Sequence, residues 1–368
     1  MRVVIKRLGR NVGQQMHLEE VDLCLEPGSF TVLLGATRAG KTSLLRAIAG
    51  LDKPSCGSVQ LVDEAARPPM RVRKHVAMVY QEFINYPSLT LFENIASPLR
   101  VQGTLSRSEI DVRVRTIAER FELGGLLERL PSQLSGGQQQ RTALARALIK
   151  EADVVLLDEP LANLDYKLRE GLREEILRIY RERRATFVYA SSDPTEALWF
   201  GEHTAVLHEG RLLQSGAARE VYEAPVDERV ASVISDPPMN LWRAHLDGGG
   251  RLALSDELNI PCPQHLAGLE QGDLRVGLQP HRLSTRPRGT ADVRVAAELE
   301  LSEVTGSDTT LHLRYAGSPL LAQLEGVHSF EPGDTLELYF DPRETFAFSP
   351  EGRLVGAPKR QVGSDGED

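Results

Sequence analysis

Gly35-Ala36-Thr37-Arg38-Ala39-Gly40-Lys41-Thr42 has the spacing GxxxxGK[ST]. A strand-like apolar run, Thr31 to Leu34, precedes it, and a helix-like run, Ser43 to Ala49, follows it. In that context the backbone N–H groups of residues 38 to 43 turn inward on phosphate oxygens, and the helix N-terminus adds partial positive charge. Lys41 brings a cation to β- and γ-phosphates, and the Thr42 hydroxyl ligates magnesium. A second chemical feature is the acidic pair closing Leu156-Leu157-Asp158-Glu159-Pro160. Alone, two carboxylates at a strand end read as a helix N-cap. Alongside a phosphate cradle, Asp158 is expected to hold magnesium, usually through water, and Glu159 to polarise an attacking water as general base.

The elements that must position these residues follow α/β grammar. Phe30–Leu34, Asp153–Leu157, Thr186–Ala190 and Thr204–Leu207 are short continuous apolar runs, suited to a parallel sheet covered on both faces. Helical stretches lie between them, such as Ser108 to Phe121 with Ile110, Val112, Val114, Ile117 and Ala118. The texture changes at Asp236-Pro237-Pro238, where alternating runs such as Leu311–Tyr315 and Thr335–Phe340 begin, separated by turn signals. Short strands of that kind predict a small β-barrel or two. The expected division is 1–235 for the α/β domain and 236–357 for a β-rich domain. Residues 358–368 then form a polar, disordered tail.

The 368 residues are 41% hydrophobic and 26% charged, ordinary for a globular chain, with formal net charge −9. An acidic balance argues against nucleic acid as a partner. Cys24, Cys56 and Cys262 match no metal-ligand spacing, and a reducing compartment suits them. Met1 to Lys6 opens no signal-peptide apolar region, and no apolar run nears the ~20 residues that span a bilayer. A cytosolic chain that reaches a membrane only through a partner is expected.

Leu134-Ser135-Gly136-Gly137-Gln138-Gln139-Gln140-Arg141, placed before the acidic strand, resembles the signature motif of ABC ATPases. Ser135, the Gly137 amide and the helix N-terminus beyond them make an anion site. The resemblance implies that Ser135, Gly137 and Gln138 face the γ-phosphate held by a second ATPase subunit, so that two chains complete two Mg-ATP sites. It also implies a Q-loop role for Gln81, touching metal and water, and a D-loop role for Asp165 in Ala162-Asn163-Leu164-Asp165. Phe83 to Pro87 resembles the surface that receives a permease helix. Val221–Pro225, Pro238–Asn240, Gly277–His281 and Phe340–Pro342 extend the resemblance to ATPases of maltose-type importers, whose C-terminal barrels are OB-like (TOBE) regulatory domains. The fold class implied is a P-loop α/β ABC ATPase domain with a helical subdomain, followed by that β-rich domain. Leu34–Ser43, Tyr80–Pro87 and Asn163–Arg169 are similar to one ATPase of bacterial glycerol importers, which use two different ATPase chains. The partners implied are that second chain, two transmembrane permeases and a periplasmic solute-binding protein, at the cytoplasmic face of a bacterial inner membrane. Glycerol is the solute expected, with a sugar or sn-glycerol-3-phosphate as the alternative.

Three positions depart from the family pattern. Asp193, Glu196 and Ala197 set a frame that puts Ser192 where a catalytic histidine reaches the γ-phosphate. The aromatic expected to stack on adenine, near Val12-Gly13, is missing. Arg38 stands where many relatives carry glycine; it either adds charge near phosphate or points to solvent. His203 and His208 read as surface or strand residues. A soluble ABC protein acting on ribosomes or DNA is disfavoured by the single P-loop and acidic balance. A purely regulatory, weakly hydrolysing subunit is disfavoured by Lys41, Gln81, Asp158 and Glu159.

Overall fold

The computed structural model describes residues 1–62, 75–162, 164–255 and 258–358. Asn163 of the D-loop and the tail from Lys359 lie outside these residues. The chain divides into two compact units, with the cut between Ala218 and Arg219, ahead of the 235/236 boundary expected from sequence. Segment 219–235 goes with the second unit for a local reason. The Arg275 guanidinium donates to Glu228, and Glu228 N and Leu354 N bond to Gly352 O and Val226 O.

The first unit runs β1 (Arg2–Val12), β2 (Gln15–Leu25), β3 (Phe30–Leu34), α1 (Lys41–Ile48), β4 (Cys56–Val62), β5 (Val76–Val79), α2 (Leu91–Gln102), α3 (Arg107–Arg120), α4 (Gly136–Leu148), β6 (Val154–Asp158), α5 (Tyr166–Glu182), β7 (Thr186–Ser191), α6 (Pro194–Phe200), β8 (His203–His208) and β9 (Arg211–Ala217). The main sheet has the order β5-β6-β7-β3-β8-β9. It is parallel except for β9. Every residue of β3, β6 and β7 is buried, which is why these strands read as unbroken apolar runs. A second sheet, β2-β1-β4, is antiparallel.

Register decides what lies beside what. Leu34 at the end of β3 pairs with Ser191 at the end of β7, and Asp158 at the end of β6 pairs with Ala190. Three loops therefore leave one carboxyl edge side by side, the usual place for a ligand in such sheets. Helices α2, α3 and α4 pack on one another as a helical subdomain. Thr90, Ser106 and Ser135 begin them with capping boxes, each closed by a Glu or Gln three residues on. In α3, Ile110, Val114, Ile117 and Ala118 are buried, whereas Val112 faces solvent because it falls off the 3.6-residue stripe.

The second unit is β-rich. It holds a six-stranded sheet that includes β10 (Asn240–Leu246), β11 (Arg251–Ala253), β12 (Asn259–Pro261) and β13 (Gly272–Leu278). Its four-stranded antiparallel sheet is made of β14 (Val293–Val304), β15 (Asp308–Tyr315), β16 (Ser318–Glu325) and β17 (Thr335–Phe340). Alternate residues of β10 and β15 face one shared core that includes Trp242, Val276, Leu311 and Phe340. The Asn240 side chain ties the two sheets by bonding both Leu321 O and Leu321 N. Among the described residues no helix is long and apolar enough to cross a membrane.

Candidate active site

The P-loop leaves β3 at Gly35 and enters α1 at Lys41. Two of its glycines are required sterically. A Cβ at Gly35 would lie 2.4 Å from Leu207 O, and Gly40 has φ 105° with a Cβ position 2.9 Å from His17 O. Arg38 holds φ 69° without being glycine, which accounts for the family's preference for glycine there. Its side chain is exposed and lines the groove in front of the loop.

Lys41 is 4% exposed. Its ammonium donates to Gly35 O at 2.7 Å and Ala36 O at 3.1 Å, and lies 3.1 Å from Glu159 Oε1. Gln81 Nε2 donates to the other Glu159 oxygen at 3.0 Å. Thr42 Oγ1 donates to Asp158 Oδ1 at 3.1 Å. Burial pushes the Asp158 carboxyl above the usual carboxylate range; the Thr42 bond and the charge of Lys41 pull the other way. Glu159 sits at φ 44°, a left-handed conformation held in place by its N–H bond to Ala190 O. Strain of this kind concentrates where a side chain must be aimed.

Lys41, Thr42, Gln81 and Glu159 open into a groove of about 970 Å³. Thr42 and Gln81 line the groove and Asp158 lies buried behind Thr42; this set of hard oxygens suits magnesium, which takes few protein ligands and leaves places for phosphate oxygens. Among the described residues no cluster of three or more His, Cys, Asp or Glu stands ready for a metal elsewhere.

The far wall of the groove comes from the β1–β2 hairpin: Arg10, Val12, Gln15, Met16 and His17. No Phe, Tyr or Trp is there. Val12 and Met16 are half exposed and apolar, and His17 Nδ1 lies 3.2 Å from Ser43 Oγ. Sequence reading noted only the absent aromatic and passed over His17, whose approach depends on long-range packing of the hairpin.

Ser192 follows β7 and is exposed. It lines a recess of about 220 Å³ together with Glu159, Asp193 and Glu196. The segment is held from behind: the Ser191 hydroxyl donates to buried Glu196 at 2.5 Å, and Asp193 caps α6. His203 and His208 sit at the two ends of β8, and neither lines the groove or the recess.

The signature residues are placed differently. Ser135 caps α4 by accepting from Gln138 N, and Gln138 Oε1 accepts from Ser135 N at 3.0 Å. Ser135 and Gly136 are exposed, and none of Ser135, Gly137 and Gln138 lines this chain's own groove. Asn85 Nδ2 donates to Gln139 O, which ties the Gln81 loop to the signature helix. Asp165 caps α5 through Leu168 N. Tyr86 lies under Arg146, 5.1 Å from its guanidinium carbon, and lines a groove of about 860 Å³ with Met78, Leu89, Pro98 and Val101. Phe83, expected in this surface, is half-buried and does not line the groove.

The sequence model of the ABC transporter family matches residues 18–162, and that of the TOBE domain matches residues 276–348. The chain is 36% identical over 322 residues to the sn-glycerol-3-phosphate import ATP-binding protein UgpC of Chromobacterium violaceum, covering 87% of this chain and 86% of that one. It belongs to the ABC transporter family. The trehalose/maltose import ATP-binding protein MalK of Thermococcus litoralis is 35% identical over 91% of this chain and 94% of its own length. The sulfoquinovosyl glycerol transport ATP-binding protein SmoE of Agrobacterium fabrum is 33% identical, over 94% and 97%. Among solved structures, a dimeric post-hydrolysis state of the ATP-binding cassette MJ0796 bound to ADP and Pi superposes with a TM-score of 0.54. It has 30% identity and covers 59% of this chain and 99% of that one. The chain is therefore an ABC ATPase with a TOBE domain.

Proposed function

We propose that this ABC ATPase powers an importer for a small polyol or carbohydrate, hydrolysing Mg-ATP between two face-to-face ATPase chains. One observation carries the reading. The chain gathers Lys41, Thr42, Gln81, Asp158 and Glu159 at its own groove, yet presents Ser135 exposed and Gly137 half-buried, both outside that groove. Such a signature helix suits a γ-phosphate held by another chain. Lys41 exchanges its loop carbonyls and Glu159 for phosphate oxygens. Glu159, steadied by Gln81, accepts the proton of the attacking water. Magnesium at Thr42, Asp158 and Gln81 would neutralise charge on the β- and γ-phosphates.

The relatives named for sn-glycerol-3-phosphate, trehalose/maltose and sulfoquinovosyl glycerol support the polyol or sugar class, and glycerol is the solute we favour within it. The working assembly would add a second ATPase chain, two permeases and a periplasmic binding protein at the cytoplasmic face of the bacterial inner membrane. The groove around Tyr86 would receive a permease helix.

Ser192 makes the two ATP sites unequal. A serine is too short to reach where an imidazole donates, and loss of one such donor costs on the order of 10²–10³ in rate. The fast site then combines a partner's P-loop with this chain's Ser135, Gly137 and Gln138. The test is turnover in the reconstituted complex. Gly137→Asp puts a negative charge on the signature helix at a position whose nearest neighbour is the flexible Leu168 side chain. It should abolish most hydrolysis, and Lys41→Ala should cost less. Equal losses, or full importer rates from a homodimer of this chain alone, would reject the asymmetric site.

A further inference from the structure

The β-rich unit contains a cavity of about 1110 Å³, lined among others by Arg286, Arg288, Asp308, Glu325, His328 and Phe330. Arg286, Arg288 and Glu325 on this cavity are exposed and Asp308 is half-buried, so their charges are open to a ligand. Asp308 and Glu325 are direct cross-strand partners of β15 and β16, so two carboxylates stand opposite each other on one face. Like charges so placed are destabilising. The Asp308 carboxylate accepts only from the Ser307 hydroxyl at 2.8 Å, and no cation neutralises either acid among the described residues. Two other cross-strand pairs of this sheet are matched instead: Arg294 pairs with Glu337 and Arg314 with Glu300.

Two guanidinium groups on the same cavity are in the complementary condition. Arg286 has no carboxylate within ion-pair distance among the described residues. The Arg288 guanidinium donates only to the His281 carbonyl, at 3.5 Å, and makes no ion pair among the described residues, although its charge acts on the nearby Glu344 carboxyl. The adjacent Arg282 and Arg343 are, by contrast, both paired, with Glu344 and Asp341. In the same lining, Phe330 stacks on His328 with ring centroids 6.0 Å apart and offers an aromatic surface.

We propose that this cavity binds a small zwitterion. Its anionic end, a phosphate or carboxylate, sits on Arg286 and Arg288, and its ammonium end sits between Asp308 and Glu325 against Phe330. Paired guanidinium groups match the oxygens of such an anion. An ammonium is held by carboxylates and by an aromatic face. Such a ligand pairs both groups of exposed charge at once, which neither a simple anion nor a simple cation does. The site lies wholly within the β-rich unit and does not depend on how the ATPase reading fares.

The experiment uses the full-length chain and titrates phosphoethanolamine, inorganic phosphate and ethanolamine in parallel by calorimetry. Phosphoethanolamine should bind saturably and at least about tenfold tighter than either fragment. Arg286→Ala with Arg288→Ala should weaken it about tenfold or more, and so should Asp308→Asn with Glu325→Gln. The acid-side pair carries its own control. By relieving repulsion it should melt at or above the wild-type temperature, so lost binding cannot be lost folding. Absence of saturable binding overturns the proposal. So does phosphate binding as tightly as the zwitterion, or affinity indifferent to the Asp308 and Glu325 substitutions.

Discussion

Replacing Glu159 by glutamine removes the charge of the proposed general base and very little else. In the native site one carboxylate oxygen lies 3.1 Å from Lys41 Nζ and the other accepts from Gln81 Nε2 at 3.0 Å. A glutamine can keep its carbonyl oxygen toward Lys41. Its amide then meets the Gln81 amide, and a flip of Gln81 restores a donor–acceptor pair. Lys41 retains Gly35 O and Ala36 O as acceptors, so its buried ammonium is not orphaned. ATP binding and thermal stability should therefore change little. The lost function is proton acceptance from water, which costs roughly 10²–10⁴ in rate, or about 2.7–5.5 kcal/mol at 1.36 kcal/mol per decade. The assay is single-turnover phosphate release from the assembled complex, with the partner ATPase disabled at its own P-loop lysine so that this chain's groove reports. ATP affinity is measured separately by equilibrium binding. Release within threefold of the unsubstituted chain, with ATP still bound, would show that Glu159 is not the base.

Three further outcomes follow from particular contacts. Arg38→Gly trades relief of a left-handed φ for a looser unfolded chain, effects of about 1 kcal/mol each, so the melting temperature should barely move. If Arg38 adds charge near phosphate, ATP affinity falls about three- to tenfold at low salt and less at high salt; unchanged affinity means it points to solvent. Tyr86→Ala should weaken assembly with the permeases while leaving the fold intact, because Tyr86 is 48% exposed and its contact with Arg146 is worth about 1 kcal/mol; a large fall in melting temperature would make it a core residue instead.

The last of them is a pH dependence. Burial, with Arg282 and Arg288 nearby, lowers the His281 pKa from 6.5 to about 4. The folded state thus prefers the neutral ring. That preference contributes fully above pH 6.5 and is lost as pH falls toward 4. The full shift is equivalent to about 3 kcal/mol, and the partial solvent access of the ring reduces this to about 1–2 kcal/mol. His281→Gln should flatten the loss of stability between pH 6.5 and 4 relative to wild type; parallel melting curves across that range would refute the cause.

The proposed hydrolytic residues could be named from sequence because motifs of this kind depend on spacing along a few consecutive backbone positions. GxxxxGK[ST], the acidic pair and the signature each specify a local turn, and three buried strands were visible as apolar runs. What stayed hidden came from distant pairing. The position of His17 beside Ser43 follows from how the β1–β2 hairpin meets α1, which no window of sequence contains. The facing carboxylates Asp308 and Glu325 are 17 residues apart, and a register shifted by one would have sent them to opposite faces. Tyr86 rather than Phe83 borders the helical groove because Asn94 holds the loop by Tyr86 N and Tyr86 O, turning that ring toward Arg146. The same division separates the two ends of the nucleotide groove. The phosphate end is built by loops at one sheet edge and is written in motifs. The base end is built by a second sheet, where Val12, Met16 and His17 stand in place of an aromatic. An apolar, thioether and imidazole wall offers the base weaker stacking than an indole or phenol ring. On the proposed site, most of the affinity for ATP comes from the phosphate end, where Lys41, Thr42 and the loop amides act, so equilibrium binding should show weak discrimination between ATP and GTP, and a preference for ATP beyond about tenfold would refute it.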